Sequence, residues 1–459
     1  MNSAARTGRT DDRVTRRWRR PLLIAAAAGI ALSLTGCETI DDWFRPTEKK
    51  LPGERISVLA LESKLEPEQR VQDVEVVLPA PYANAAWPQP AGTAAAVMQH
   101  LDLPTSIKQV WKADIGSEAG GQERYSARPV IAGGRIYTMD THARVSAFDT
   151  RTGERLWNVG LARRGEDLGE IGGGLAIGEG RLVAVTPYGD VYAIELSSGR
   201  YYWQAQVEGP VRGAPSIENG RILLLTTENR LIALDLDTGE ERWQHQGSIE
   251  QTELIGAPAP SAAGPVVIAP YSSGEIYALR ADTGQALWSD QLVRARRLSP
   301  LSSINDVDGQ PLIDDDRVYA ISHGGYFAAY DLRTGNRIWD QEMSGSQTPW
   351  LAGDFIFLVT SEAELVALSK TDGGVRWVTQ MPAFLEPEDR RGRITWTGPV
   401  LAGDRLILAG SNGSVWSVSP YDGSPLGQVK FSDPVTVAPV IADRTLYILT
   451  DGGDLVAFR

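Results

Sequence analysis

Cysteine and histidine are scarce in this chain of 459 residues, which contains one cysteine and four histidines. A single cysteine cannot form an intramolecular disulfide bond, and it supplies too few thiolates for a cysteine-based metal cluster. None of the histidines has a second histidine at metal-ligand spacing. They are His100, His142, His245 and His323. The composition therefore argues against the common metal centres that are built from these two residue types.

Sequence signatures of common enzymes are also missing: there is no Gly-x-Ser-x-Gly elbow, no phosphate-binding loop and no dinucleotide fingerprint. Positive charge is in deficit, since 45 Lys and Arg stand against 58 Asp and Glu, a net charge of −13. Residues 1–36 carry seven Arg and two Asp, so the chain without them has a net charge of −18. A surface this acidic repels nucleic acid. We therefore expect a protein that is not an enzyme, needs no cofactor or metal and does not bind nucleic acid.

The N-terminus has the layout of a bacterial export signal. A run of five arginines precedes an apolar stretch from Leu22 to Leu34, which is too short for a typical membrane-spanning helix. The stretch ends in Leu-Thr-Gly-Cys, which resembles a lipobox with Cys37 as the lipid acceptor. The alternative is a plain signal peptide followed by an unmodified cysteine. We expect a signal peptide over 1–36 and, because Glu38 rather than Asp follows, an anchor on the periplasmic face of the outer membrane.

Residues 37–107 show little periodicity and many Pro and Ala residues, for example in Leu78-Pro79-Ala80-Pro81. Such a composition is typical of a tether and not of a packed domain. The sequence therefore predicts a lipid-anchored flexible linker over residues 37–107. Trp87 is the one residue of this segment that we expect to dock on the following domain.

From residue 108 onward, one line recurs in which Ala is followed by Gly after six residues and by Trp after four more. The complete copies are Ala147/Gly153/Trp157, Ala193/Gly199/Trp203, Ala233/Gly239/Trp243, Ala278/Gly284/Trp288, Ala329/Gly335/Trp339 and Ala367/Gly373/Trp377. A seventh copy is degenerate (Ser417, Gly423, Gly427), and an eighth begins at Ala457. A β-hairpin phrase precedes each copy, and the spacing suits a four-stranded blade. The pattern predicts an all-β fold, an eight-bladed β-propeller over residues 108–459.

The recurring residues have structural roles in this interpretation. Gly tolerates the positive φ of a tight turn, and Trp offers a large face to bury between neighbouring blades. The last blade lacks its outer strand, which Gln109–Lys112 can supply by pairing with Leu455–Phe458, so that the two termini close the ring. The tryptophans expected to pack between blades are Trp111, Trp157, Trp203, Trp243, Trp288, Trp339 and Trp377.

The line from Ala147 to Trp157 resembles the tryptophan-docking repeat of the PQQ-like propellers, and the resemblance runs from about residue 108 to the end. Two families share this repeat, the quinoprotein alcohol dehydrogenases and the BamB family of outer-membrane assembly lipoproteins. The lipobox favours the BamB family. So does the lone cysteine, since many of the dehydrogenases carry an adjacent cysteine pair near the quinone. The segment Ser303–Pro311, in which two Asp flank a Val, is similar to a BamB phrase.

The resemblance implies a scaffold that binds the periplasmic domains of the barrel-assembly protein BamA and aids the assembly of unfolded outer-membrane proteins. It implies a partner surface made of two loops and a basic patch between them. In the first loop, Ile255 stands where some family members have Arg. The residues concerned are Leu254, Ile255, Arg294, Arg296, Arg297, Asp306 and Asp308. Two alternatives stay open. The first concerns the site: Asp306 and Asp308 could organise a long loop instead of contacting a partner. The second concerns the function: the chain could be a quinone-dependent dehydrogenase or a degenerate relative of one.

Overall fold

The structure is a computed structural model. It describes residues 65–117, 119, 125, 127–161, 172–211, 213–249, 258–292 and 306–459. Within these ranges the chain forms strands and turns only. No helix in this part of the chain is long and apolar enough to cross a membrane.

Eight antiparallel sheets of four strands each form the blades of a propeller, and in every blade the first strand is the innermost and the fourth the outermost. Blade 1 consists of β2 (Val130–Ala132), β3 (Arg135–Met139), β4 (Arg144–Asp149) and β5 (Arg155–Gly160). Blade 2 consists of β6 (Gly174–Gly178), β7 (Arg181–Val185), β8 (Asp190–Glu195) and β9 (Tyr201–Gln206). Blade 3 consists of β10 (Ser216–Glu218), β11 (Arg221–Leu225), β12 (Arg230–Asp235) and β13 (Glu241–Gln246). Blade 4 consists of β14 (Ser261–Ala263), β15 (Val266–Pro270), β16 (Glu275–Arg280) and β17 (Ala286–Gln291). Blade 5 consists of β18 (Leu312–Asp314), β19 (Arg317–Ile321), β20 (Phe327–Asp331) and β21 (Arg337–Gln341). Blade 6 consists of β22 (Trp350–Ala352), β23 (Phe355–Val359), β24 (Glu364–Ser369) and β25 (Val375–Gln380).

The remaining strands form blades 7 and 8 and one additional hairpin. Blade 7 is β28 (Trp396–Ala402), β29 (Arg405–Gly410), β30 (Ser414–Val418) and β31 (Pro425–Lys430), and blade 8 is β32 (Val440–Ala442), β33 (Thr445–Leu449), β34 (Asp454–Phe458) and β1 (Gln109–Asp114). The hairpin, β26 (Phe384–Glu386) with β27 (Arg391–Arg393), lies between blades 6 and 7 in the sequence. The predicted eight-bladed propeller, closed by pairing of the terminal strands, is confirmed.

The repeat fixes the register of the two outer strands. In blade 1, Ala147 lies opposite Trp157, and a β-bulge follows at once between Ala147 and Phe148. The same Ala–Trp pair occurs in blades 2 to 6, and in blade 8 Ala457 lies opposite Trp111. Because alanine adds little bulk, it leaves room for the indole ring to turn toward the next blade.

Each of these tryptophans packs on the next blade around the ring. The indole N–H of Trp243 donates to the main-chain carbonyl oxygen of Ala281 at 2.9 Å, and its ring lies against Gly284. The other six indoles make the equivalent hydrogen bond and glycine contact, at distances between 2.8 and 3.1 Å. A buried indole with its N–H satisfied contributes a large apolar contact at no polar cost.

The contact between blades 7 and 8 is built differently. Gly427 stands opposite Ser417 where other blades have tryptophan. A docking tryptophan at this position would need a glycine turn between the two outer strands of blade 8, but those strands, β34 and β1, are opposite ends of the chain. Instead, the rings of Phe431 and Phe458 meet edge to face, 6.2 Å apart. The degenerate seventh repeat is therefore a consequence of where the chain begins and ends.

The antiparallel order of the strands assigns every connection to one of two faces. The loop face carries the connections between blades, such as residues 247–260 and 292–311, together with the turns between second and third strands. The tether face carries the turn after each innermost strand and the glycine turns on which tryptophans dock.

The prediction of a flexible linker does not hold for residues 65–107, which pack on the propeller. Glu68 N donates to Val375 O at 2.8 Å on blade 6, and Arg376 Nε donates to Val74 O at 2.6 Å. Trp87 exchanges two 2.8 Å main-chain hydrogen bonds with Ile131 and is 1% exposed. The segment lacks periodicity because it is neither helix nor strand; its order comes from hydrogen bonds to other parts of the chain.

Residues 84–103, which we call the channel plug, run round the inside of the ring and bond to every blade in turn. The plug contacts blades 8, 1, 2 and 3 through Asn84, Trp87, Pro88 and Gln89, and blades 4, 5, 6 and 7 through Ala94, Ala95, Gln99 and Leu101. In every blade a partner lies in the innermost strand; in seven blades it is a main-chain group, as with Ile177 N to Pro88 O at 2.7 Å, and in blade 6 it is the indole of Trp350. The plug thus satisfies main-chain groups that would otherwise face the central channel.

Two substitutions in blade 4 separate tryptophan docking from backbone strain. Gly284 (φ +71°) and Gly264 (φ +54°) both adopt the left-handed conformation, but only at Gly284 would a Cβ meet Trp243, at 2.4 Å. Each Gly→Ala change should cost about 1–2 kcal/mol of unfolding free energy from strain, and Gly284→Ala should lose about 1–3 kcal/mol more from overpacking. Denaturant unfolding of the two variants measures the difference; equal losses would argue against a docking contribution.

Candidate functional site

The site expected from the sequence consists of two loops on the propeller. Connection 247–260 joins blades 3 and 4, and connection 292–311 joins blades 4 and 5, so both lie on the loop face and flank the same blade. The structure therefore brings the ends of the two expected loops to adjacent positions. Several residues expected at this site or at the anchor lie outside the described residues, namely Cys37, Leu254, Ile255, Arg294, Arg296 and Arg297.

The start of the first loop is fixed by a network of side chains. Asn229 donates through Nδ2 to Ser248 O at 2.7 Å and accepts at Oδ1 from Ser272 N and Oγ at 3.0 and 2.9 Å. Ser248 N and Oγ in turn donate to the Glu275 carboxylate at 2.8 and 2.9 Å. These bonds tie the start of the loop to the turns of blades 3 and 4; the Asn229 bonds are buried or part-buried, and the Glu275 bonds are exposed.

An aromatic cluster lies next to this network. Nδ1 of His245 is 2.7 Å from the Tyr271 hydroxyl, and its ring also contacts Tyr277 at 4.7 Å between centroids. Burial lowers the pKa of His245, with the Glu275 carboxylate opposing the shift, and burial raises the pKa of Tyr271. Both groups are therefore held neutral near pH 7. This pair is packed in the wall of a blade next to the start of the first loop.

The acidic phrase of the second loop divides into a buried and a more exposed part. Asp306 is 1% exposed, its main-chain carbonyl oxygen accepts from His323 N at 2.8 Å, and Val307 is buried in the core between blades 4 and 5. Burial lowers the pKa of His323, and the Asp306 carboxylate opposes this shift. Asp308 is half-buried. Of the two acids, Asp308 is thus the one with surface available to a partner, while Asp306 anchors the loop.

The β26–β27 hairpin also lies on the loop face, and the sequence does not predict it. Arg393 donates to Ser361 O, and its side chain lies 3.4 Å from Glu362. Its guanidinium and that of Arg390 flank the Phe384 ring at 5.9 and 5.4 Å. Only three residues make up each strand, so the sequence carries no alternation long enough to predict it.

The central channel is the place where a propeller of this type would hold a cofactor. Beneath the plug, Trp87 stacks on Trp350 at 6.1 Å between ring centroids, and a cavity of about 20 Å³ remains beside them. A cavity of this size accommodates about one water molecule. The residues that the structure describes include no group of three or more His, Cys, Asp or Glu suited to a metal ion.

Comparison with known proteins gives a consistent result. A family model described as "Outer membrane protein assembly factor BamB" matches residues 101–158 and 141–379. A protein of that name from Salmonella typhimurium is 32% identical over 354 residues, which cover 76% of this chain and 88% of the relative.

Solved structures show the same fold in two functional classes. The crystal structure of BamB from Moraxella catarrhalis has a TM-score of 0.65 at 19% identity, covering 77% of this chain and 100% of that one. Quinohemoprotein alcohol dehydrogenase from Comamonas testosteroni has a TM-score of 0.63 at 14% identity, covering 82% and 80%. At these identities the likeness establishes the fold alone.

The different burial of the two acids predicts different effects of charge reversal. Asp306→Arg should cost about 3 kcal/mol or more of unfolding free energy, because a position that is 1% exposed has no room or solvation for a guanidinium. Asp308→Arg should cost about 1 kcal/mol or less. Denaturant unfolding of the two single variants tests this; a loss at Asp308 as large as that at Asp306 would show that both acids are structural.

Proposed function

Because the chain belongs to the BamB family of outer-membrane protein assembly factors, we propose that it binds the periplasmic domains of BamA through its loop face. The observation that carries the proposal is the position of the two loops that correspond to the family's contact loops. They leave the propeller on either side of blade 4, and the first begins at a rigid network of hydrogen bonds. Rigid placement of the loops lowers the entropy cost of binding.

Charge supports Asp308 as the acidic contact within this surface. The acidic phrase follows a segment with three arginines, Arg294, Arg296 and Arg297, in a chain of net charge −13. Opposite charges placed close together favour one orientation of a partner and suppress others. Leu254 and Ile255 supply the apolar part of the proposed contact.

We propose that the chain is anchored at the outer membrane through a lipid on Cys37. With residues 65–107 packed on the propeller, only residues 38–64 remain as a tether, 27 residues that span at most roughly 90 Å when fully extended. The packed segment begins on the tether face, where Arg70 pairs with Asp372 of blade 6. The anchor and the proposed BamA surface are thus attached to opposite faces of the propeller.

We propose that unfolded outer-membrane proteins bind along the outer edges of the blades. The outer strands β5, β17 and β21 each expose an apolar side chain immediately before the docking tryptophan, namely Leu156, Leu287 and Ile338. An edge strand presents unpaired main-chain groups to which an extended polypeptide can add. Several such edges around one ring would hold a client weakly at several points.

We propose that the protein works without catalysis. The alternative, a quinone-dependent dehydrogenase, rests on a shared fold. Against it, the plug and the stacked Trp87 and Trp350 leave a cavity of about 20 Å³ at the centre of the ring. An organic cofactor would have to displace the plug, which is bonded to all eight blades.

A mild-detergent pull-down from outer membranes tests the proposed function. It compares the tagged lipoprotein with Asp308→Arg and with Glu240→Arg, a control that makes the same charge change at an exposed position on the tether face. BamA should be recovered with the parent and the control, and about tenfold less with Asp308→Arg, a loss of about 1.4 kcal/mol.

The other outcomes separate the function from the residue assignment. Equal recovery with all three proteins would leave the assembly role intact and remove Asp308 from the contact surface. Absence of BamA from all three would contradict the proposal. Stoichiometric binding of a quinone to the parent would then support the dehydrogenase.

A further inference from the structure

One position recurs in the channel at the start of each blade. In seven blades a proline immediately precedes the innermost strand or its inner half. The residues before these prolines are Arg128, Ala214, Ala259, Gln310, Thr348, Gly398 and Ala438, and Gly174 holds the corresponding place in blade 2. Four of them, Arg128, Thr348, Gly398 and Ala438, line one cavity. Arg128 is the one ionisable residue in this ring.

Arg128 and Thr348 line the same cavity of about 20 Å³, together with Trp87, Trp350 and Ala438. Arg128 and Thr348 belong to blades 1 and 6, which are not neighbours, so the cavity lies near the axis of the ring. Nη1 of Arg128 donates to Pro90 O of the plug at 3.3 Å. A guanidinium has five N–H donors, so this one long hydrogen bond leaves donor capacity for a second acceptor.

The surroundings of Arg128 favour an anion as that acceptor. Burial lowers the pKa of Arg128 to about 10, so the group stays charged at neutral pH, and within the described residues no carboxylate contributes to the shift. An uncompensated charge in such a place is costly.

We propose that the cavity beneath the plug binds a monatomic anion such as chloride, held by the Arg128 guanidinium. The volume, about that needed by one water molecule, suits a monatomic anion better than a larger carboxylate or phosphate. Arg128 also bonds to the plug, so the anion stabilises the end of the channel where the plug and blade 1 meet. The site is independent of the proposed BamA surface on the loops.

The experiment compares the mature chain with Arg128→Gln and with Arg405→Gln. Arg405 is a matched control because it also donates to main-chain carbonyls next to the plug, Thr105 O at 2.8 Å and Pro104 O at 2.6 Å, but it does not line the cavity. Thermal unfolding is measured in sodium chloride and in sodium gluconate at equal ionic strength. Crystals of each protein are soaked in bromide, whose anomalous scattering locates the anion.

The parent and Arg405→Gln should unfold about 2 °C higher in chloride than in gluconate, the shift expected for a chain of this size when the chloride concentration is about ten times the Kd. Arg128→Gln should lose this difference, and the bromide peak beside residue 128 should vanish with it. A parent that shows no chloride effect and no bromide peak would overturn the proposal and leave water in the cavity. A chloride effect of the same size in Arg128→Gln would overturn it as well, because the anion would then bind elsewhere.

Discussion

The contact between an indole ring on the outer strand of one blade and the glycine turn of the next holds this ring together. A four-stranded sheet cannot cover its own faces, so each blade is stable only against its neighbours. The tryptophan supplies the cover, and its N–H is satisfied by a main-chain carbonyl of the neighbour, as between Trp243 and Ala281. Seven contacts of one geometry set one spacing between blades. The eighth contact, at Gly427, has no tryptophan because no glycine turn joins β34 and β1 of blade 8; these strands are held together by pairing, which two 2.9 Å main-chain hydrogen bonds between Lys108 and Arg459 extend.

Closing the ring directs eight innermost strands toward one axis, and their free edges must find partners. The channel plug provides them, blade by blade, from Asn84 to Leu101. The segment that leads from the proposed lipid anchor is therefore also the segment that completes the core. This arrangement fills the centre of the ring with side chains of the plug and the blades and leaves a cavity of about 20 Å³ there.

The sequence predicts the parts of this structure that repeat. The Ala–Gly–Trp line predicts the blades, and the incomplete last repeat predicts closure by the termini. Apart from the docking of Trp87, the plug could not be predicted, because its order depends on contacts with residues far away in the sequence, such as Asn84 with Ile441, and not on local periodicity. The resemblance identified the acidic phrase, but it could not show that Asp306 is buried beside His323 while Asp308 keeps exposed surface. Burial at one position of a loop is decided by the neighbouring blades.

Amide hydrogen exchange of the mature lipoprotein, measured by mass spectrometry with and without the periplasmic domains of BamA, tests whether the loop face is the recognition surface. We expect slower exchange on binding in residues 247–260 and 292–311 of the loop face, and unchanged exchange in the glycine turns of the tether face, for example residues 236–240. Protection confined to the tether face or to the outer strands, with both loops unchanged, would show that the loop face does not bind BamA.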